Sequence, residues 1–290
     1  MNIMEIREVK ISRILNPTSI DLGEYVINPF LGCELGCLYC YVRSNRVVSK
    51  KDKPWGDYVD IRINAPEQLE KELKKKKPKT VLLGSTTECF QPLEKKCQLT
   101  RRLLEILNYH KVFYVILTRS PYILDYIHLL KGGFCKKIYF TVNDFSPGFK
   151  HVLEPRSAGF EYRAEAVNAL LSEGLPVIPY FSPVLPEISN LEGTFKKFDK
   201  SESIEFECLN FNLKNISDII DAIISIEPSL ETFYKKMRVD PEFYSKAWGK
   251  IKNEIDAQAK EAKRKYNIYV HDFGGYFKNK YGEGQIEKKR

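Results

Sequence analysis

The chain has 290 residues, 43% of them hydrophobic and 29% charged, with a formal net charge of +8. That supplies enough apolar surface for one large domain or two small ones, and it excludes a disordered chain, a fibrous repeat and a multi-span membrane protein. The longest apolar runs, such as Val112–Leu117 and Pro176–Phe181, fall far short of the roughly 20 residues that cross a bilayer. No signal-peptide core follows Met1, so a cytoplasmic protein with reduced thiols and no membrane attachment is expected. The basic excess suits an anionic partner such as nucleic acid, although runs such as Lys74–Lys77 read equally well as solvated helix ends.

In chain order, short β-rich runs alternate with stretches of helical period. Strands are predicted at Tyr25–Phe30, Thr80–Gly84, Val112–Thr118, Lys137–Val142, Val177–Ser182 and Ile204–Leu209. Between them lie helical patterns at Pro66–Lys75, Gln98–Tyr109 and Tyr162–Leu171, the last closed by Gly174. Six such units predict an α/β fold, a partial (βα)6 barrel of the TIM type with a helical C-terminal extension. The extension comprises Ser217–Ile226 and a long helix at Pro241–Tyr266, whose stripe of Phe243, Ala247, Ile251, Ile255, Ala259, Ala262 and Tyr266 is packing. A last strand is predicted at Ile268–Phe273, before Gly274-Gly275 and a frayed charged tail, Glu287–Arg290. The expected division is an N-terminal segment over 1–24, the barrel over 25–212 and the helical extension over 213–290.

Seven cysteines form an odd number, and three of them fall within eight residues as Cys33, Cys37 and Cys40. In a reduced compartment that pattern points to metal or catalysis and away from a disulfide framework. C-x-x-x-C-x-x-C directly after the first predicted strand can wrap one iron–sulfur cluster, with Gly32 and Gly36 permitting the tight backbone. Three thiolates leave one iron of a four-iron cluster open to an exogenous ligand. The alternatives are a zinc site, which wants four protein ligands and has no histidine closer in sequence than His110, and three buried structural cysteines. Cys97, Cys135 and Cys208 form no second close-spaced set, and Cys97 and Cys208 read as core. The four histidines are scattered; His271 beside Asp272 reads as surface, with entry into the site from the last strand as the alternative. No P-loop or G-x-G-x-x-G is present.

Cys33, Cys37, Tyr39 and Cys40 resemble the C-x-x-x-C-x-aromatic-C signature of the radical S-adenosylmethionine enzymes. A wider resemblance to the spore photoproduct lyase-like branch covers about residues 25–190. It is carried by Asn28-Pro-Phe-Leu-Gly-Cys, Tyr41, Gly84-Ser-Thr-Thr-Glu-Cys-Phe-Gln-Pro-Leu-Glu94, Leu117-Thr-Arg-Ser120, Thr141-Val-Asn143, Glu154-Pro155, Tyr162-Arg163-Ala164 and Phe181-Ser-Pro-Val184. The resemblance implies a 4Fe-4S cluster on the three cysteines, with S-adenosyl-L-methionine chelating the fourth iron. It places Tyr39 near the adenine and Arg119 against the methionyl carboxylate, a role its planar fork suits. Thr87, Thr141 and Ser182 become candidates for polar contacts to the cofactor, with ordinary turn or capping hydroxyls as the alternative. An electron donor of flavodoxin or ferredoxin type is implied as partner.

The sequence departs from that branch at Ser85, where the lyase has the cysteine that returns hydrogen to its thymine-dimer substrate. Cys89, four residues on, is the candidate hydrogen donor and Tyr41 the candidate for radical transfer; a buried hydrophobe and a packing aromatic are the alternatives. The expected function is reductive cleavage of S-adenosylmethionine and hydrogen abstraction from an unidentified substrate, a small molecule or peptide rather than nucleic acid. The alternatives are a DNA or RNA lesion repair enzyme and a non-catalytic metal-binding protein that binds nucleic acid.

Overall fold

Runs rich in Val, Ile and Tyr become strands wherever both of their faces can be covered, and that condition orders the molecule. The computed structural model describes residues 4–45, 48 and 51–273. In chain order the strands are β1 (Glu5–Val9), β2 (Asn16–Pro17), β3 (Tyr25–Ile27), β4 (Phe30–Gly32), β5 (Tyr58–Arg62), β6 (Thr80–Leu83), β7 (Phe113–Thr118), β8 (Cys135–Thr141), β9 (Val177–Val184), β10 (Ser203–Cys208) and β11 (Lys265–Tyr269). The main sheet runs β11-β10-β9-β8-β7-β6-β3-β2, parallel throughout except for the antiparallel edge pair β2 and β3. Its six central strands are the six expected from sequence. Among the described residues the sheet stays open, with β2 and β11 at its edges.

Alternate residues of these strands face two cores. Val81, Leu83, Tyr114, Ile116, Ile138, Phe140, Phe181 and Phe206 pack in the large core under the helices. Leu82, Val115, Tyr139 and Ile178 form a separate small core on the other face. The helices cover the first face through apolar stripes: Leu99–Tyr109 buries Leu103, Leu104 and Leu107, and Phe160–Ser172 buries Ala164, Val167 and Leu170. Gly174 follows the latter helix in a left-handed turn at φ +76°.

Three expectations are revised. The predicted strand Tyr25–Phe30 divides at Asn28-Pro29, because β4 leaves the main sheet and pairs antiparallel with β5. β5 in turn pairs parallel with β1, so part of the N-terminal segment is the edge of a second, three-stranded sheet. The long helix spans Pro241–Ala262, capped by the Asp240 carboxylate accepting from the amides of Glu242 and Phe243 at 3.0 Å each. It stops where Lys263 turns left-handed at φ +53°. The last strand therefore begins at Lys265, earlier than predicted, and Tyr266 belongs to it. Gly274-Gly275 and the tail Glu287–Arg290 lie outside the described residues.

Candidate active site

Five of the six central strands, β6 to β10, bring residues at or near their C-terminal ends to one cavity of about 680 Å³, the edge at which parallel β/α folds gather functional groups. The cysteine loop closes it from one side. Gly32, at φ +104°, turns the chain out of β4, and a Cβ there would fall 2.3 Å from the Tyr58 carbonyl oxygen, so only glycine fits. The loop is then pinned by its neighbours. Thr87 Oγ1 donates to the Gly32 carbonyl at 2.6 Å, the Glu34 amide donates to Gln91 Oε1 at 2.7 Å, and the Leu38 amide donates to the Leu153 carbonyl at 3.0 Å.

Cys33, Cys37 and Cys40 all line the cavity. Burial, and then the neighbouring Cys37 thiol, pushes the Cys40 thiol up to about 12 and raises Cys33 as well. The three sulfurs thus share one small region. Yet among the described residues no three Cys, His, Asp or Glu side chains converge closely enough to hold a single metal ion. Three thiols, one short of the four protein ligands of a structural zinc site, fit a four-iron cluster that leaves one metal corner to another ligand.

Behind the loop lies a buried polar network. Glu154, fully buried, pairs with Arg163, also fully buried, at 2.9 Å and with Arg119 at 3.2 Å. The Tyr39 hydroxyl donates to Glu154, and Arg119 Nη1 donates to the Tyr39 oxygen and to Cys37 Sγ, the latter at 3.5 Å. Asn143 Nδ2 donates to Glu154 Oε1 at 3.0 Å and to the Ser182 carbonyl at 2.8 Å. Burial opposes a charge on Glu154, but Arg163 and Arg119 hold its carboxyl below the usual range. Glu88, buried beside it in the chain fold, ties the turn after β7 by accepting from Thr118 Oγ1 at 2.7 Å and from the Arg119 amide at 2.9 Å.

On the opposite wall Glu207 accepts from Tyr180 Oη at 2.6 Å, Ser182 Oγ at 2.7 Å and His271 Nε2 at 3.1 Å. Burial opposes its ionisation, but His271, Tyr180 and Ser182 hold the carboxyl below the usual range. The surface reading of His271 is corrected here: the segment after β11 carries it into the cavity wall, where 7% of its surface is exposed. Cys208, read as core, is indeed buried on β10 and also borders the cavity.

The other sequence candidates divide. Tyr39, Tyr41, Thr87, Arg119, Thr141 and Ser182 all line the cavity. Tyr41 donates its hydroxyl to the Ser85 carbonyl. Thr87 and Ser182 already donate theirs within the protein. Cys89 is not brought there: it is fully buried in the large core, and burial raises its thiol far above the ordinary value. Glu207 was not singled out from sequence, and Glu154 entered only as part of the Glu154-Pro155 motif, with no role given. For Glu207 a signal existed, since Ile204-Glu205-Phe206-Glu207-Cys208 alternates charge with apolar residues in a strand expected to be covered on its helix side.

An open parallel β/α sheet with three cavity-facing cysteines on the loop after its first strand defines the radical class of iron–sulfur enzymes. Residues 27–197 match the Radical SAM superfamily model, more than half of the sequence, and the chain belongs to that superfamily. It is 30% identical over 206 residues to an uncharacterized protein of Methanocaldococcus jannaschii, covering 70% of this chain and 78% of the relative. Its fold is similar to that of spore photoproduct lyase complexed with dinucleoside spore photoproduct, with a TM-score of 0.60 at 13% identity over 92% of this chain and 82% of that one. It is also similar to Streptococcus suis SuiB bound to S-adenosylmethionine, with a TM-score of 0.51 at 10% identity over 91% and 53% of the two chains. Identities this low show the fold alone. The chain is a radical SAM enzyme, and the family implies a 4Fe-4S cluster and S-adenosylmethionine. Among the described residues no helix is long and apolar enough to cross a membrane.

Proposed function

We propose that this enzyme cleaves S-adenosylmethionine reductively at a single 4Fe-4S cluster held by Cys33, Cys37 and Cys40. The observation that carries the reading is that all three thiols line the one cavity at the strand ends. When bound, a cluster reduced by the electron donor would supply the one electron that splits the S-adenosylmethionine sulfonium into methionine and a 5′-deoxyadenosyl radical, which would take hydrogen from substrate.

The chain's own residues do the positioning. Thr87, Gln91 and Leu153 hold the cysteine loop in one conformation, so the thiols are oriented before any ligand arrives. Arg119 faces the cavity with a fixed positive charge. Among the described residues its side-chain hydrogen bonds leave from Nη1, and a guanidinium has five donors in all, which supports a role against the methionyl carboxylate. Tyr39 and Thr141 border the same space and are proposed for the adenosine portion. The electron donor is proposed to be of flavodoxin or ferredoxin type and the protein cytoplasmic.

A small molecule or peptide is the proposed substrate. Ser85 borders the cavity where the lyase-like branch has its hydrogen-donating cysteine, and Cys89 lies in the core, which supports a reaction other than thymine-dimer repair. Anaerobic protein with reconstituted cluster and dithionite should form 5′-deoxyadenosine from S-adenosylmethionine even without substrate. A four-iron cluster that assembles and yields no cleavage product would sink the proposal. Submicromolar, salt-sensitive binding of DNA at physiological ionic strength would return a nucleic-acid lesion to the head of the substrates.

A further inference from the structure

The proposed function leaves one built feature of the cavity without a role: the wall opposite the cysteines. β9 and β10 lie side by side in parallel, and their residues Tyr180, Ser182 and Glu207 all turn toward the cavity, with His271 added from the segment after β11. A carboxylate offers about four acceptor positions. Glu207 fills two on Oε2, from Tyr180 and Ser182, and one on Oε1, from His271. The remaining position belongs to a side chain that is 27% exposed, and that surface opens on the cavity. Three donors fix the carboxylate in place and hold it ionised, while the surroundings are aromatic: the Tyr180 ring meets that of Tyr139 edge-on, centroids 5.8 Å apart.

A fixed anion in a cavity also lined by the Tyr180 and Tyr139 rings is selective. It attracts an ammonium or guanidinium, through charge-assisted hydrogen bonding and through the ring faces, and repels phosphate. The contrast with the protein's surface is informative, because a net charge of +8 would otherwise draw anions. The other strong cation lining the cavity, Arg119, is directed to Glu154 and the cysteine loop. From this we infer that Glu207, oriented by His271, Tyr180 and Ser182, is the substrate-recognition group of the enzyme and that the substrate presents a cationic nitrogen, a primary ammonium or guanidinium, to it. The inference rests on the proposed function for the identity of the cavity as an active site.

The experiment uses reconstituted holoenzyme with S-adenosylhomocysteine, which has no sulfonium for the reduced cluster to cleave, and a matched set of probes: the capped tripeptides acetyl-Gly-Lys-Gly-amide, acetyl-Gly-Arg-Gly-amide and acetyl-Gly-Glu-Gly-amide, and the dinucleotide thymidylyl-thymidine. Ligand-observed NMR reads binding, and paramagnetic broadening by the reduced cluster places a probe in the cavity rather than on the surface. The lysine or arginine peptide should bind at least tenfold more tightly than the glutamate peptide and the dinucleotide, and only the cationic probes should be broadened. Glu207→Gln should abolish that preference, whereas Glu187→Gln, a change at an exposed salt bridge to Lys250, should keep it. No measurable preference in the parent, or a preference for the anionic probes, overturns the inference, and neither result needs a variant that folds. Retention of the full preference in a folded Glu207→Gln protein overturns it too. A parent that forms 5′-deoxyadenosine but shows no charge preference sinks this inference alone, while absent cleavage with intact charge selectivity sinks the proposed reaction alone.

Discussion

Two carboxylates, Glu154 buried behind the cavity and Glu207 on its wall, are compensated in different ways. Glu154 has no exposed surface and is enclosed by Arg163, Arg119, Tyr39 and Asn143, two of them full cations. Glu207 keeps part of its side chain open to the cavity and is held by two hydroxyls and one imidazole. A charge matched by two guanidiniums away from water is a structural joint: it locks the cysteine loop to β7, β8 and the helix Phe160–Ser172. A charge held in place but left partly open is a recognition group. The difference teaches that burial of a carboxylate alone says little about its role; what counts is how much of its field its neighbours cancel.

The cysteine side should break first. Cys37→Ala leaves two thiolates where the proposal requires three, so cluster assembly and 5′-deoxyadenosine formation should both be lost. Cys97→Ala, in the small core beside Leu93 and Leu99, should retain both. Iron and sulfide analysis after anaerobic reconstitution checks this, and equal iron in the Cys37 variant and the parent refutes the ligand assignment.

Glu154→Gln comes next. Removing one partner from a buried ion network leaves Arg163 and Arg119 uncompensated, at about 3–5 kcal/mol. Glu207→Gln, which keeps the shape and leaves no cation fully buried, should cost about 1 kcal/mol or less. Urea unfolding of the cluster-free proteins measures the two. Equal losses would erase the distinction between the joint and the recognition group.

Arg119→Ala probes the boundary between the two roles, since Arg119 belongs to the network and faces the cavity. It should weaken S-adenosylmethionine binding by about 1.5–3 kcal/mol, roughly 10–150-fold, while iron and sulfide stay at the parent's level. An unchanged dissociation constant would show that Arg119 serves only Glu154 and Tyr39.

The smallest effect is in the pH dependence. Both carboxyls are held below the ordinary glutamate value of about 4.3, so each contributes stability that is complete above roughly pH 5 and is lost as the pH falls through its folded value. The parent should therefore weaken as pH falls from 5 toward 3. Glu154→Gln should flatten that decline, and Glu207→Gln should flatten it less. A steeper decline in either variant contradicts the direction of the shifts.

Much of this was legible in the residues themselves. Strand-length β-branched runs separated by helical stripes determined the order and number of central strands, because each pattern reports which faces of a local segment must be buried. The cysteine spacing likewise marked the loop proposed to hold the cluster, since ligands so close in sequence need only a local turn to converge. Where the chain had to choose between partners distant in sequence, the residues were silent. Phe30–Gly32 reads as a continuation of β3 but pairs with β5, and Glu5–Val9 becomes the edge of that second sheet. Tertiary structure alone placed Cys89 in the core, one of the two places its sequence allowed, and His271 at the cavity, against its surface reading. It also joined Glu154 to Arg119 and Arg163, and Glu207 to Tyr180, Ser182 and His271. Those contacts depend on which strand ends meet, and the sheet order that brings them together is fixed by burial summed over the whole molecule rather than by any segment's own preference.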